Sequence, residues 1–183
     1  MIFLFILIVI AFLLLYVQSY FKIPKETQII QTTLSTFHPD LLLEKQPIYV
    51  NDSIYNPADV ISTVFKYQYI QKVLSLSNRD YIKKNLSRFV LIYNDSDNMV
   101  EVDISNPHLQ KSLRYYNGLF VNKFYKVVKN KTDSLDKTNF TKILLKPYNM
   151  IVLPISWVYQ TNTSNLLEIH LFDMITKAYS FFA

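Results

Sequence analysis

The spacing of hydrophobic positions along this chain changes twice. Residues 1–17 read MIFLFILIVIAFLLLYV, with no charge and no alternation. A run of that kind has no polar face to offer water, so it predicts a membrane-spanning helix. Extended to Tyr20 it would measure about 28 Å, close to the hydrocarbon thickness of a bilayer. The pattern then becomes mixed. Residues 27–34 fit an extended segment. Pro39 opens a helical turn through Leu41, Leu42, Leu43, Glu44 and Lys45, and Pro47 closes it. Ile48, Tyr49 and Val50 read as a strand. Asn56-Pro57 supplies a helix cap and a first helical residue. Behind it, Val60, Ile61, Val64, Phe65, Tyr69, Ile70, Val73 and Leu74 recur at helical spacing, which predicts one helix ending near Ser77-Asn78.

From Arg88 onward the character is β. Phe89 to Tyr93 and Met99 to Ile104 read as a strand–turn–strand hairpin around 94–98. Its second strand alternates apolar and acidic residues and so should be half exposed. Residues 120–128, 141–146, 150–154, 157–161 and 166–171 follow as strand candidates, with a polar loop over 129–139 and a helical turn over 173–182. These elements predict an α+β chain: a transmembrane anchor over 1–21, a linker over 22–26, and one β-rich domain over 27–183. That domain is expected to be a sandwich or jelly roll with one or two flanking helices.

The anchor residues are Ile2, Phe3, Leu4, Phe5, Ile6, Leu7, Ile8, Val9, Ile10, Phe12, Leu13, Leu14, Leu15, Tyr16 and Val17. A cleaved signal peptide would need a basic start and a shorter apolar core, and no Lys or Arg precedes Lys22. The helix is expected to be continuous and detached from the domain core. Lys22 and Lys25 flank its end, which puts the following domain on the cytoplasmic side. Asn-x-Ser/Thr triplets at Asn51, Asn85, Asn94, Asn130, Asn139 and Asn162 pull towards a lumenal placement. Cysteine is absent, so there is no disulfide framework and the redox compartment stays open.

Composition removes several classes. Gly118 is the single glycine, so neither a dinucleotide-binding nor a P-loop phosphate cradle can form. The net charge of +5 is moderate. Its basic residues, among them Lys66, Lys72, Arg79, Lys83, Lys84 and Arg88, read as a solvated face, with anionic lipid as the next partner; nucleic acid is not predicted. A cysteine nucleophile is absent, and a single glycine leaves no nucleophile elbow for a serine hydrolase. His38-Pro39-Asp40 has the spacing of a metal-binding pair, but proline at a helix start gives the wrong geometry. Glu168 and His170 share a strand face and read as an ordinary polar face. His108 follows Pro107 in a loop. No metal, cofactor or catalytic residue is assigned.

Two segments carry a resemblance. Residues 42–65 (LLEKQPIYVNDSIYNPADVISTVF) look like the opening of cupin-like domains of the Jumonji type. Residues 145–161 (LKPYNMIVLPISWVYQT) are similar to the late motif of those domains, with Pro154, Trp157 and, near the place of the last metal histidine, Tyr159. The resemblance implies the fold and argues against iron- and 2-oxoglutarate-dependent oxygenase chemistry, because the ligands are missing. Trp157 is expected to be at least partly buried, with its indole N–H bonded to a backbone carbonyl or water. The anchor, with the stretch Leu43-Glu44-Lys45 to Pro47 and then Thr63 to Tyr69, also resembles small membrane-anchored proteins of large nucleocytoplasmic DNA viruses. That implies a virion or viral-membrane protein whose partners are the lipid bilayer and other viral or membrane proteins. The expected function is a membrane-anchored, non-catalytic structural or interaction protein. The alternatives are the oxygenase and a lumenal glycoprotein binding domain.

Overall fold

The computed structural model describes residues 2–65, 69–75, 81–110, 125–129, 139–161, 163 and 166–182. The chain is mixed α+β, with an apolar N-terminal helix and two sheets of mostly antiparallel strands. Helix α1 runs Ile2–Phe21 and is long and apolar enough to cross a membrane. Its side chains are exposed from Phe3 through Tyr16. Strand β1 (Ile30–Thr32), a 3-10 helix (Pro39–Glu44), β2 (Ile48–Val50) and α2 (Pro57–Val64) follow. The Asn56 side chain caps α2 by accepting from Ala58 N at 3.1 Å.

Among the described residues nine strands come next: β3 (Ile70–Ser75), β4 (Tyr81–Asn85), β5 (Phe89–Asn94), β6 (Val100–Ser105), β7 (Tyr125–Lys129), β8 (Thr141–Leu145), β9 (Met150–Pro154), β10 (Val158–Thr161) and β11 (Leu166–Phe172). Helix α3 (Met174–Phe182) ends the chain. One sheet has the order β1-β2-β9-β5-β11-β3, the other β7-β4-β10-β6-β8. Four antiparallel pairings are nested: β3 with β11, β4 with β10, β5 with β9, and β6 with β8. The chain therefore runs out along one long ribbon and back, and rolling that ribbon brings β11 beside β5 and β10 beside β6.

Burial follows from this layering. The first sheet is covered on both faces. Val90, Ile92, Ile151 and Leu153 point at the second sheet, where they meet Val102, Ile104, Leu145 and Trp157. Phe89, Leu91, Met150 and Val152 point the other way, onto Leu42 of the 3-10 helix and Val60, Ile61 and Val64 of α2. A strand buried on both faces reads as a continuous apolar run, which is why β5 and β9 do. In β6 the burial alternates, with Glu101 and Asp103 half exposed as expected.

Two expectations about these elements are corrected. The helix begun at Pro57 stops at Val64, and Ile70–Ser75 is a strand. Tyr69, Ile70, Val73 and Leu74 matched a helical stripe, but the segment from Ile70 gains six-residue antiparallel pairing with β11, and β-branched and aromatic residues suit that surface. Strands β5 and β6 are not a hairpin: β5 pairs with β9 and β11, β6 with β10 and β8, so residues 95–99 cross between the sheets. Strand β4 was not expected at all. The expected strand over 120–128 is seen as β7, and its part over 120–124, like the expected loop over 130–138, lies outside the described residues.

The end of α1 is not detached. Tyr20 is buried, with the Arg88 guanidinium carbon 3.8 Å above its ring. Phe21 packs on Tyr179 of α3 with ring centres 4.8 Å apart. Lys45 Nζ donates to the carbonyls of Ser19 and, at 3.0 Å, Lys22, so a cation caps the helix where its dipole is negative. The linker is also held. Asn106 Nδ2 donates to Pro24 O at 3.0 Å and Gln46 Nε2 to Glu26 O at 2.9 Å.

Candidate functional site

A buried polar cluster lies between the sheets, where β4, β10 and β11 converge. Tyr159 on β10 is directly opposite Lys83 on β4, so both project to the same inner face. Glu168 and His170 alternate with Ile169 and Leu171 on β11, which places both on that inner face too. Glu168 is the hub. Its Oε1 accepts from Lys83 Nζ at 2.8 Å, and its Oε2 accepts from the Tyr159 hydroxyl at 3.0 Å. His170 Nε2 lies 3.1 Å from the same Oε2, which makes Nε2 the proton-bearing nitrogen. Glu168 and His170 are 0% exposed and Lys83 5%.

The partners set the electrostatics. Burial alone would raise the Glu168 carboxyl; the hydrogen bond from His170 and the charge of Lys83 outweigh it, and the net direction is down. Burial first, then the neighbouring Glu168 charge, holds the Tyr159 phenol well above its ordinary value, so it remains a donor. The Lys83 ammonium also stands 4.7 Å from the Tyr125 ring centre and 5.9 Å from that of Tyr159. This corrects two expectations: Lys83 is not part of a solvated face, and Glu168 with His170 is not an ordinary polar strand face.

Behind His170 the network continues. Ser87 Oγ is 3.1 Å from His170 Nδ1 and 2.9 Å from Phe89 O, and it also bonds Asn85 Oδ1. Asn85 Nδ2 donates to the carbonyls of Ser87 and Pro154 at 3.1 and 3.0 Å. The series Ser87, His170, Glu168 has the connectivity of a nucleophile, base and orienting carboxylate. Ser87 is fully buried, and its backbone N–H, which would face a developing oxyanion, donates to Asn85 Oδ1 at 2.9 Å. The series acts as a brace that ties β4 and β5 to β11.

The structure also places the residues singled out in the sequence. His38 and Asp40 are exposed at the start of the 3-10 helix, and the His38 side chain makes no cap bond. His108 is exposed, with Nε2 3.2 Å from Ile23 O. The three histidines therefore do not converge. Among the described residues, no group of three His, Cys, Asp or Glu side chains is placed to hold a metal ion. Trp157 is fully buried, and its indole N–H donates to Lys45 O at 3.2 Å. Pro154 ends β9 and is paired with Phe89. No protein-family model and no curated protein matches the chain. The assignment of this site therefore stands on its geometry.

Of the Asn-x-Ser/Thr triplets, Asn85 and Asn94 are fully buried with their amides bonded inside the fold. Asn51 is exposed, Asn139 is half-buried, and Asn130 and Asn162 lie outside the described residues. Sequence reasoning missed Lys83, Asn85, Ser87 and Arg88 as a group. The available signal was the apolar Ile82 and Leu86 between polar neighbours; the adjacent lysines hid it.

Proposed function

We propose that this is a single-pass membrane protein whose β-rich domain is a non-catalytic structural or interaction module held against the bilayer surface. The observation that carries the reading is the contrast along α1. Its apolar side chains are exposed over Phe3 to Tyr16, whereas its last turn is locked to the domain by Tyr20, Phe21 and Lys45. A helix with that surface needs hydrocarbon around it, and a docked end fixes how the domain faces the membrane. Lys22 and Lys25 favour a cytoplasmic domain, and the burial of Asn85 and Asn94 weakens the lumenal alternative.

The nested pairings support a jelly-roll assignment. Numbering the core strands one to eight along the chain with β7 set aside, first pairs with eighth, second with seventh, third with sixth and fourth with fifth. On the cupin-like reading, Tyr159 stands near the place of a metal histidine, and its hydroxyl is committed to Glu168. The polar interior is neutralised by its own residues, which favours a non-catalytic role. The viral setting, with a virion membrane and viral partners, is proposed from the resemblance alone.

The test uses the full chain. It should float with lipid vesicles, resist alkaline extraction and keep its full mass of 21.6 kDa. Release from the vesicles or removal of the N-terminal segment would overturn the anchor. Stoichiometric ferrous iron binding with 2-oxoglutarate turnover would overturn the non-catalytic assignment.

A further inference from the structure

A cavity of about 550 Å³ opens between the last turns of α1 and the domain. That volume is in the range of small-ligand sites. Its walls are apolar: Leu42 and Leu43 from the 3-10 helix, Val64 and Phe65 from α2, and Phe89 from β5. Tyr16 and Tyr20 of α1 close one side. These two tyrosines lie in the final turns of the apolar span, the level at which aromatic residues meet the headgroup region.

One cation lines the cavity, and two more stand near it. Arg88 is half-buried, with its guanidinium over the rings of Tyr20 and Phe89. Lys45 is bonded to the end of α1 and, besides its burial, feels the repulsion of both Arg88 and Lys22. Among the described residues, no carboxylate lies within salt-bridge distance of any of the three. Asp173 also lines the cavity, but its Oδ1 accepts from Thr176 N at 2.8 Å and Thr176 Oγ1 at 2.9 Å, capping α3. Asp173 is thus turned to the cap of α3, and the three cations form no ion pair among the described residues; cations so placed beside an apolar groove have the chemistry of an anionic amphiphile site.

We propose that this groove holds one anionic phospholipid of the adjoining leaflet, with its phosphate at Arg88, Lys45 and Lys22 and the first carbons of its chains against Leu42, Val64 and Phe65. The proposal rests on the membrane-anchor reading. It commits to lipid because the groove is bounded by the span itself and lies at headgroup depth. Binding there would make the docking of α1 depend on bilayer composition.

The experiment reconstitutes the full chain into phosphatidylcholine vesicles with and without one-fifth phosphatidic acid, a trace of which carries a photoreactive group near the headgroup. Crosslinked peptides should contain residues of the 3-10 helix or the end of α2. Arg88→Gln should lower that crosslinking by about fivefold, the factor of one basic residue at an anionic surface. Arg88→Gln could also loosen the docked helix, so Leu43→Glu is the second variant. Leu43 is 70% exposed, and a carboxylate at the rim repels phosphate without opening the core. It should lower crosslinking by a similar factor. Wild-type protein that floats but labels elsewhere, labels a neighbouring chain instead, shows no preference for phosphatidic acid, or is unaffected by both variants would overturn the lipid site. Wild-type protein that fails to float would overturn the anchor reading instead, and the lipid site with it.

Discussion

Replacing Glu168 by Gln tests the buried cluster most directly. The carboxylate is fully buried and is the acceptor for Lys83 at 2.8 Å, Tyr159 at 3.0 Å and His170 at 3.1 Å. Gln keeps the volume but leaves the Lys83 charge between two sheets without a counter-ion. Removing one partner of a buried pair costs about 3–5 kcal/mol, mostly through the charge left behind. Lys83→Met should cost less, about 2 kcal/mol, because Glu168 keeps its Tyr159 and His170 donors and such bonds to a charged group are worth roughly 1.5–3 kcal/mol each. The double variant should be more stable than Glu168→Gln alone, a coupling of about 1–3 kcal/mol. Urea unfolding of the full chain in detergent micelles measures all three, followed through Trp157, the one tryptophan and a fully buried one. Stability should also fall in acid. The folded Glu168 carboxyl lies below its unfolded value of about 4.3, so its contribution is complete above that value and is lost as the pH falls through the folded one. Glu168→Gln should lose that part of the pH dependence. A Gln variant within about 1 kcal/mol of wild type, or single costs that simply add, would refute the argument.

Trp157→Ala should cost about 3–5 kcal/mol in the same assay. Trp157→Phe, which removes chiefly the N–H bond to Lys45 O, should cost nearer 1 kcal/mol plus some packing loss; equal costs would contradict the packing role. Protein made in a glycosylating lumen should carry no glycan on Asn85 or Asn94 in its folded form, with Asn51 the exposed acceptor among the described residues; mass spectrometry of the folded fraction decides this. A fluorophosphonate probe should leave Ser87 unlabelled under native conditions, because the hydroxyl is buried and bonded to Phe89 O; labelling would restore it as a nucleophile.

Local elements were legible wherever one residue type dictates the backbone. Asn56-Pro57, the Pro39 turn and the apolar runs of β5 and β9 fall where sequence reasoning put them. Reasoning failed where tertiary pairing overrode a local pattern. Residues 60–74 hold a helical stripe of apolar positions, yet β3 is a strand because β11 offers it a full ladder. Residues 89–104 have hairpin spacing, yet their two strands belong to different sheets because the ribbon is rolled. The site was illegible for the same reason. Lys83 and Glu168 are 85 residues apart, and only the nested pairing puts β4 near β11 through β10. A lysine beside another lysine carries no sign of being buried until its carboxylate is located.

The junction at Lys45 explains why the end of α1 is ordered at all. Fixing the backbone of residues 22–26 costs roughly 1–2 kcal/mol per residue, and a free tether would avoid that cost. The structure instead offsets it with many small contacts: Lys45 to Ser19 and Lys22, Asn106 to Pro24, Gln46 to Glu26, and Tyr20 buried under Arg88. Each is worth about 1 kcal/mol, with Tyr20 somewhat more. None suffices alone, so the docking is cooperative. Lys45 adopts a left-handed backbone (φ 55°), which no glycine relieves, and from that position it serves both sides. Its carbonyl accepts the indole of Trp157 in the core, and its ammonium caps the helix. One residue therefore ties the packing of the sandwich to the angle at which the span leaves it. That arrangement goes beyond what a simple tether needs, and it agrees with the proposed module held in one orientation against a bilayer.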